Sequence, residues 1–160
     1  MRVRTYNTIL DPDTLRPCVV LEQSHNYEEV HSLYGPQEIA MLLREVFRHP
    51  LRTEEYLYLL AFNSKGRLLG IFEVSHGTVE IAFCENREIF MKALLIGASS
   101  IVLAHNHPSG DVTPSDRDVQ TTEKVYQAGK LLGVPLADHI IVGSDTYFSF
   151  QAEGMMPADE

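Results

Sequence analysis

Cysteine is scarce in this chain of 160 residues: Cys18 and Cys84 stand far apart, with no C-x-x-C pairing. That excludes a disulfide framework and a cysteine-based zinc site, and it fits a reducing compartment with free, buried thiols. Basic charge is also scarce. Thirteen Lys and Arg against 22 Asp and Glu leave a formal net charge of -9, the wrong sign for coating a phosphate backbone, so a broad nucleic-acid surface is disfavoured. Long apolar runs are missing as well. None reaches the roughly 20 residues that cross a bilayer, and the opening MRVRTYNTIL lacks the apolar stretch of a secretory signal. A cytoplasmic protein without membrane contact is expected.

What is present reads as one domain. A length of 160 residues with 44% hydrophobic and 22% charged residues suffices for a single core without disulfides. Extended segments are expected at Val3 to Leu10 and Pro17 to Gln23, parted by Asp11-Pro12-Asp13; they pair as a hairpin or form an arm across another subunit. Ser24 to Gly35 is polar and reads as irregular. Pro36 then opens a helix with Ile39, Leu42, Leu43, Val46 and Phe47 inward and Glu38, Arg44 and Glu45 outward, stopped by His49-Pro50.

The dense run Tyr56 to Phe62 predicts a central strand buried on both faces, with Arg67 to Ser75 as its antiparallel neighbour until His76-Gly77 breaks it. A short strand at Val79 to Phe83 follows. Asn86 can cap a helix whose apolar face is Ile89, Phe90, Ala93 and Leu94, and Ser100 to Ala104 is a short buried strand. Ser115 can cap a long helix carrying Val119, Val125, Leu131 and Leu132, closed by Gly133. Val134 to Val142 and Thr146 to Phe150 complete the pattern. Alternating helices and strands with a hairpin predict an α/β or α+β sheet layered with helices.

The chemistry concentrates in His105-Asn106-His107 and in Asp118 beyond it. His105 and His107 alternate in phase at a strand end, so both imidazoles point the same way. A turn through Pro108, Gly110 and Pro114 can fold Asp118, on the first turn of the next helix, back towards them. Two imidazoles and a carboxylate form a three-ligand set that leaves a fourth zinc position open, as hydrolytic sites do. Ser115-x-x-Asp118 is also a plain capping box, but capping explains neither histidine, and a metal site is therefore the reading adopted. The contiguous His-Asn-His is not an HNH nuclease signature, whose residues are dispersed. His25, His31, His49 and His76 have no ligand spacing and read as surface or turn residues.

His105-x-His107-Pro108 followed by Ser115-x-x-Asp118 resembles the JAMM signature of the JAB/MPN metalloproteases, and AHNHPSG, PSDRD, LADHIIVG and TYFSF resemble its RadC-like branch. The resemblance runs from about Glu55 to Gly154. It implies a mixed α/β sheet flanked by helices, of cytidine-deaminase-like architecture, and one zinc ion with a bound water held by His105, His107 and Asp118. It places the upstream glutamate on Glu55, ahead of Leu59-Leu60, with Glu54 as the near rival and Glu73 as a distant one. A carboxylate there accepts a proton from water and later protonates a leaving amine. Ser115, by the same resemblance, would hydrogen-bond the developing oxyanion.

The implied activity is zinc-dependent hydrolysis of a peptide or isopeptide bond, with an unidentified protein or peptide substrate. The alternatives are a metal-holding scaffold without turnover and, less favoured, a DNA-repair-associated factor. Residues 1–54 show no Gly-x-Gly helix-hairpin-helix of the kind larger RadC-like chains carry. The expected organisation is an N-terminal extension over 1–35, which could mediate oligomerisation, the RadC-like domain over 36–156, and a frayed tail over 157–160. Asn106 occupies a place where many JAMM sequences have Ser or Thr. Asp138-His139 reads equally as a self-satisfied buried pair or as a partner orienting a zinc ligand, and Arg87-Glu88 reads as an ion pair or cap.

Overall fold

A computed structural model describes residues 1–27, 33, 35–48, 52–77 and 85–158. Its elements are β1 (Arg2–Leu10), β2 (Pro17–Asn26), α1 (Pro36–Phe47), β3 (Glu55–Phe62), β4 (Leu68–Gly77), α2 (Asn86–Leu95), β5 (Ser100–Asn106), α3 (Asp116–Leu132), β6 (Leu136–Val142) and β7 (Tyr147–Ser149). The seven strands form one mixed sheet in the order β2-β1-β4-β3-β5-β6-β7. Parallel pairing joins β1 to β4 and β5 to β6, and the other neighbours are antiparallel. The expected α/β sheet flanked by helices is what forms.

Strand alternation divides the core in two. Tyr58, Leu60 and Phe62 of β3, with Val102 and Ala104 of β5, pack against Ile39, Leu42 and Leu43 of α1. Leu57 and Leu59 of β3, with Ile101 and Leu103 of β5, pack on the opposite face against Ile89, Phe90 and Ala93 of α2 and Val125 of α3. Tyr56 to Phe62 is therefore covered on both sides, as its composition predicts. Full burial of each such side chain stabilises the fold by about 1.5–3 kcal/mol.

The two N-terminal strands pair with each other as a hairpin, and β1 joins the main sheet where Thr5 and Tyr6 meet Ile71 and Phe72 of β4. Gly70 makes this approach possible: a Cβ there would lie 2.4 Å from the Tyr6 ring. Lys92 of α2, almost fully buried, reaches Thr8 Oγ1 of β1 at 3.3 Å.

Several expectations are corrected. Ser24 to Asn26 are not irregular; they extend β2 alongside the first residues of β1. His76 and Gly77 stay within β4, paired with Tyr56 and Glu55. Arg44 does not point outward: it donates to the carbonyls of Gly143 (2.9 Å) and Thr146 (2.6 Å), tying α1 to the turn after β6. Asn86 is the first helical residue rather than the cap, which is Glu85, and its amide donates instead to the Lys124 carbonyl of α3. Leu94 is exposed. Residues 134 and 135 precede β6 rather than forming part of it. Cys18 is free and half-buried rather than buried. The expected strand at Val79 to Phe83, the stop at His49-Pro50, His31, Cys84 and the terminal Asp159-Glu160 lie outside the described residues.

Of the four apolar residues noted along α3, only Val125 is buried; Val119, Leu131 and Leu132 are exposed. The buried stripe is Asp118, Thr122, Val125 and Gly129. Its spacing is helical, but its N-terminal half is polar because that end of the helix faces a polar site. Gly133 closes α3 in the left-handed region at φ 70°, as expected of a C-terminal glycine.

Candidate metal centre

The face that α3 covers also carries the chemistry. Leu57 pairs with His105 across β3 and β5, and Leu103 pairs with His139 across β5 and β6. Glu55, His105 and His139 therefore share one side of the sheet at neighbouring positions. The sequence places His105 beyond a strand ending at Ala104; the strand in fact runs through Asn106, so His105 is fixed by ladder hydrogen bonds. His107 follows in the loop. Asp118 arrives from the opposite layer, held on the first turn of α3 by a complete capping box with Ser115.

These elements bring four side chains together. Glu55, His105, His107 and Asp118 each offer a ligand atom, and all four atoms lie within 4.8 Å of one another. His105 Nε2 is 2.9 Å from His107 Nε2 and 3.2 Å from Asp118 Oδ1; His107 Nε2 is 3.3 Å from Asp118 Oδ2. Glu55 Oε1 stands further out, 3.9 Å from His105 Nε2. Of the rival carboxylates, Glu73 is paired with His76 on the surface at 2.8 Å, and Glu54 is absent from the four-residue group.

The donor chemistry fits a cation. His107 Nδ1 lies 2.7 Å from the Asp111 carbonyl, and a carbonyl only accepts, so Nδ1 carries a hydrogen and Nε2 of the neutral ring carries a lone pair. That lone pair faces a second imidazole nitrogen and a carboxylate. Two nitrogens and a carboxylate oxygen crowded together form a group that could hold a metal ion.

Burial and charge tune each group. Burial raises the Glu55 carboxyl above its ordinary value, opposed by the nearby His105 and His107. Burial also works against the Asp118 charge, but the imidazoles of His105 and His107 beside it and the Ser115 hydroxyl outweigh it and hold that carboxyl well below the usual range. The hydrogen bond to Asp118 raises His107 despite its desolvation. His139, wholly buried, is driven well below the ordinary histidine value by desolvation and by the neighbouring His105.

Ser115 Oγ donates to Asp118 Oδ2 at 2.7 Å and accepts from the Asp118 backbone N–H at 3.2 Å, so its single proton rests on the carboxylate. The pair Asp138-His139 separates into two roles. Asp138 turns away and accepts from the N–H of His139, the N–H of Gln151 and the hydroxyl of Ser149, with burial raising its carboxyl. His139 turns towards the site, its Nε2 2.9 Å from His105 Nδ1. Arg87 and Glu88 pair at 3.0 Å on the surface of α2.

Four contributors were not read from the sequence. Thr122 bridges Asp118 and His139, Arg117 and Thr121 line the cleft beside Glu55 and His105, and Asn106 grips the backbone around Glu55. Helical spacing from Asp118 points to Thr122, four residues on and on the same face; the other three leave no pattern.

Comparison with known proteins identifies the family. The chain is 36% identical over 126 residues to a UPF0758 protein of Alkaliphilus metalliredigens, covering 79% of this chain and 53% of the relative. It is 37% identical over 131 residues to a UPF0758 protein of Clostridium acetobutylicum, covering 82% and 56%. To a UPF0758 protein of Chlorobaculum parvum it is 43% identical over 109 residues, covering 68% and 49%. The chain thus spans about half the length of the curated relatives it matches. A family model described as the RadC-like JAB domain matches residues 33–155, which takes in every residue of the cluster, and the chain belongs to the RadC-like JAB domain family.

Proposed function

We propose that this chain is a zinc-dependent hydrolase that cleaves a peptide or isopeptide bond with activated water. The observation that carries the reading is the offset of Glu55. The nitrogens and carboxylate oxygens of His105, His107 and Asp118 lie 2.9 to 3.3 Å apart, whereas Glu55 Oε1 is 3.9 Å from the nearest imidazole nitrogen. This spacing supports a reading in which three groups act as ligands and the fourth, beside them, as the general base for water.

His105, His107 and Asp118 would hold the zinc, a borderline ion suited to imidazole and carboxylate. Bound there, zinc supplies Lewis acidity and a lowered pKa for water. Glu55, its carboxyl raised by burial, accepts the proton of the attacking water and returns it to the leaving nitrogen. Ser115 Oγ turns its proton from Asp118 towards the substrate oxygen as charge develops there. The net charge of -9 supports a protein or peptide substrate over nucleic acid. A reducing cytoplasm suits the free Cys18. No helix among the described residues is long and apolar enough to cross a membrane.

The test is cleavage of a library of peptides and isopeptide conjugates by the zinc-loaded protein, beside Glu55→Gln. Cleavage is expected from the parent and not from the variant, with one zinc bound to each. Zinc retained by a parent that cleaves nothing would replace the hydrolase reading with that of a metal-holding interaction module.

A further inference from the structure

We propose that Thr122 and His139 are positioning residues that fix the tautomer of His105, so that its Nε2 always presents a lone pair to the metal centre. The direction of the hydrogen bonds follows from what each atom can do. Thr122 Oγ1 lies 2.7 Å from the Asp118 carbonyl oxygen and 2.7 Å from His139 Nδ1. A carbonyl accepts only, and a hydroxyl has one proton to give. That proton goes to Asp118, and Thr122 Oγ1 accepts from His139 Nδ1–H.

His139 is 1% exposed, and its ring nitrogens meet Thr122 and His105, with no carboxylate hydrogen-bonded to either nitrogen among the described residues. A neutral imidazole carries one N–H. With Nδ1 committed to Thr122, Nε2 of His139 holds a lone pair, 2.9 Å from His105 Nδ1. His105 Nδ1 is therefore the donor, and its Nε2 is bare. It faces His107 and both carboxylates of the cluster.

The relay begins and ends on one residue. The Asp118 carbonyl sets the direction of the Thr122 hydroxyl, and the Asp118 carboxylate stands 3.2 Å from the nitrogen whose lone pair that direction secures. Phe150 stacks on His139, centroids 5.1 Å apart and planes 11° from parallel, which holds the intermediate ring in place. Metal-bound histidines commonly give their second N–H to a carboxylate or carbonyl; here a second buried imidazole takes that position. Its polarity is inherited from a helix backbone.

This inference rests on the metal-holding reading of the site, and its test has an arm that does not. Two-bond proton–nitrogen NMR of the metal-free protein near neutral pH reports each imidazole's tautomer. His105 and His139 are both expected as Nδ1–H, and Nε2–H on His139 would overturn the relay. Thr122→Val keeps the shape and removes the hydroxyl, whereas Thr122→Ser keeps the hydroxyl. Zinc affinity, measured by competition with a chelating dye, is expected to fall about ten- to a hundredfold in the valine variant and to return close to the parent value in the serine variant. Equal affinity for zinc in parent and Thr122→Val would also overturn it. A parent that binds no zinc would remove the proposed function, and the tautomers would still decide the relay.

Discussion

Asn106 holds the peptide units on both sides of Glu55. Its Oδ1 accepts from the Tyr56 N–H at 2.9 Å, and its Nδ2 donates to the Glu54 carbonyl at 3.0 Å. The last residue of β5 thus fixes where the first residue of β3 starts, and with it the direction of the Glu55 carboxylate. Asn106→Ala removes both of these hydrogen bonds from a half-buried stretch of backbone. Destabilisation of about 1–3 kcal/mol is expected in chemical denaturation, with zinc still bound. Turnover is expected to fall beyond what the lost stability explains, because Glu55 is no longer aimed. Undiminished turnover in the folded variant would show that β3 pairing alone places the glutamate.

Two opposed shifts within one pair contribute to the pH dependence of the metal-free protein, beside the opposing costs of the raised Glu55 and the lowered His139. Asp118 is held below its ordinary value, so its contribution is present above the unfolded carboxyl value and lost as pH falls through the folded one. His107 is raised above its ordinary value, so its contribution is present below the unfolded histidine value and lost as pH rises through the folded one. The pair therefore stabilises most between about pH 4 and 6.5. In the metal-free protein the stability lost on His107→Gln should therefore shrink above that window. Zinc affinity should rise over the same interval, because the ligands must shed their protons. A loss on His107→Gln that does not shrink as pH rises would contradict the pairing of His107 with Asp118.

Ser115 serves the α3 cap through the same hydroxyl proposed to assist the reaction. Ser115→Ala removes a capping interaction of about 0.5–2 kcal/mol and frees Asp118 Oδ2 of one hydrogen bond. The backbone N–H of Ser115 still donates to that oxygen at 2.7 Å, so zinc is expected to stay bound while turnover drops. Loss of zinc from the alanine variant would make the serine's role structural.

Gly70 and Tyr6 offer a test of how the hairpin joins the sheet. Gly70→Ala forces a methyl carbon to within 2.4 Å of the Tyr6 ring as it now stands, which should cost about 1–3 kcal/mol. Combining it with Tyr6→Ala removes the clash, so the double variant should be less destabilised than the sum of the two singles. Simple additivity would mean that the ring already has room to swing aside.

Much of the site was legible because its residue types are unusual where they stand. Two histidines at a strand end and an aspartate after a proline turn have no packing role, and they stood out against an apolar background. Glu55 was legible through the family resemblance alone. Thr122 was not, because a threonine inside a helix has no pattern of its own until Asp118 and His139 lie on either side of it. The inner face of α3 was not legible for a related reason. Apolar periodicity finds a helix face only where that face meets apolar neighbours, and this one meets imidazoles and a carboxylate along its first two turns. Asn106 looked like a mere variation within a motif; its importance depends on β3 lying beside β5, a pairing that no local pattern records.

The strands that bear the site, β3, β5 and β6, each have a neighbour on both sides. Interior strands open only when most of the sheet opens, whereas an edge strand can fray alone. Amide hydrogens of Leu103, Ala104 and Ile140 should therefore exchange at the rate of global unfolding, and those of β2 on the outer edge much sooner. His105 and His139 should accordingly share this slow exchange, being within β5 and β6. On the proposed reading, adjustment to a substrate would come from the segment between His107 and Ser115, which lies outside the sheet.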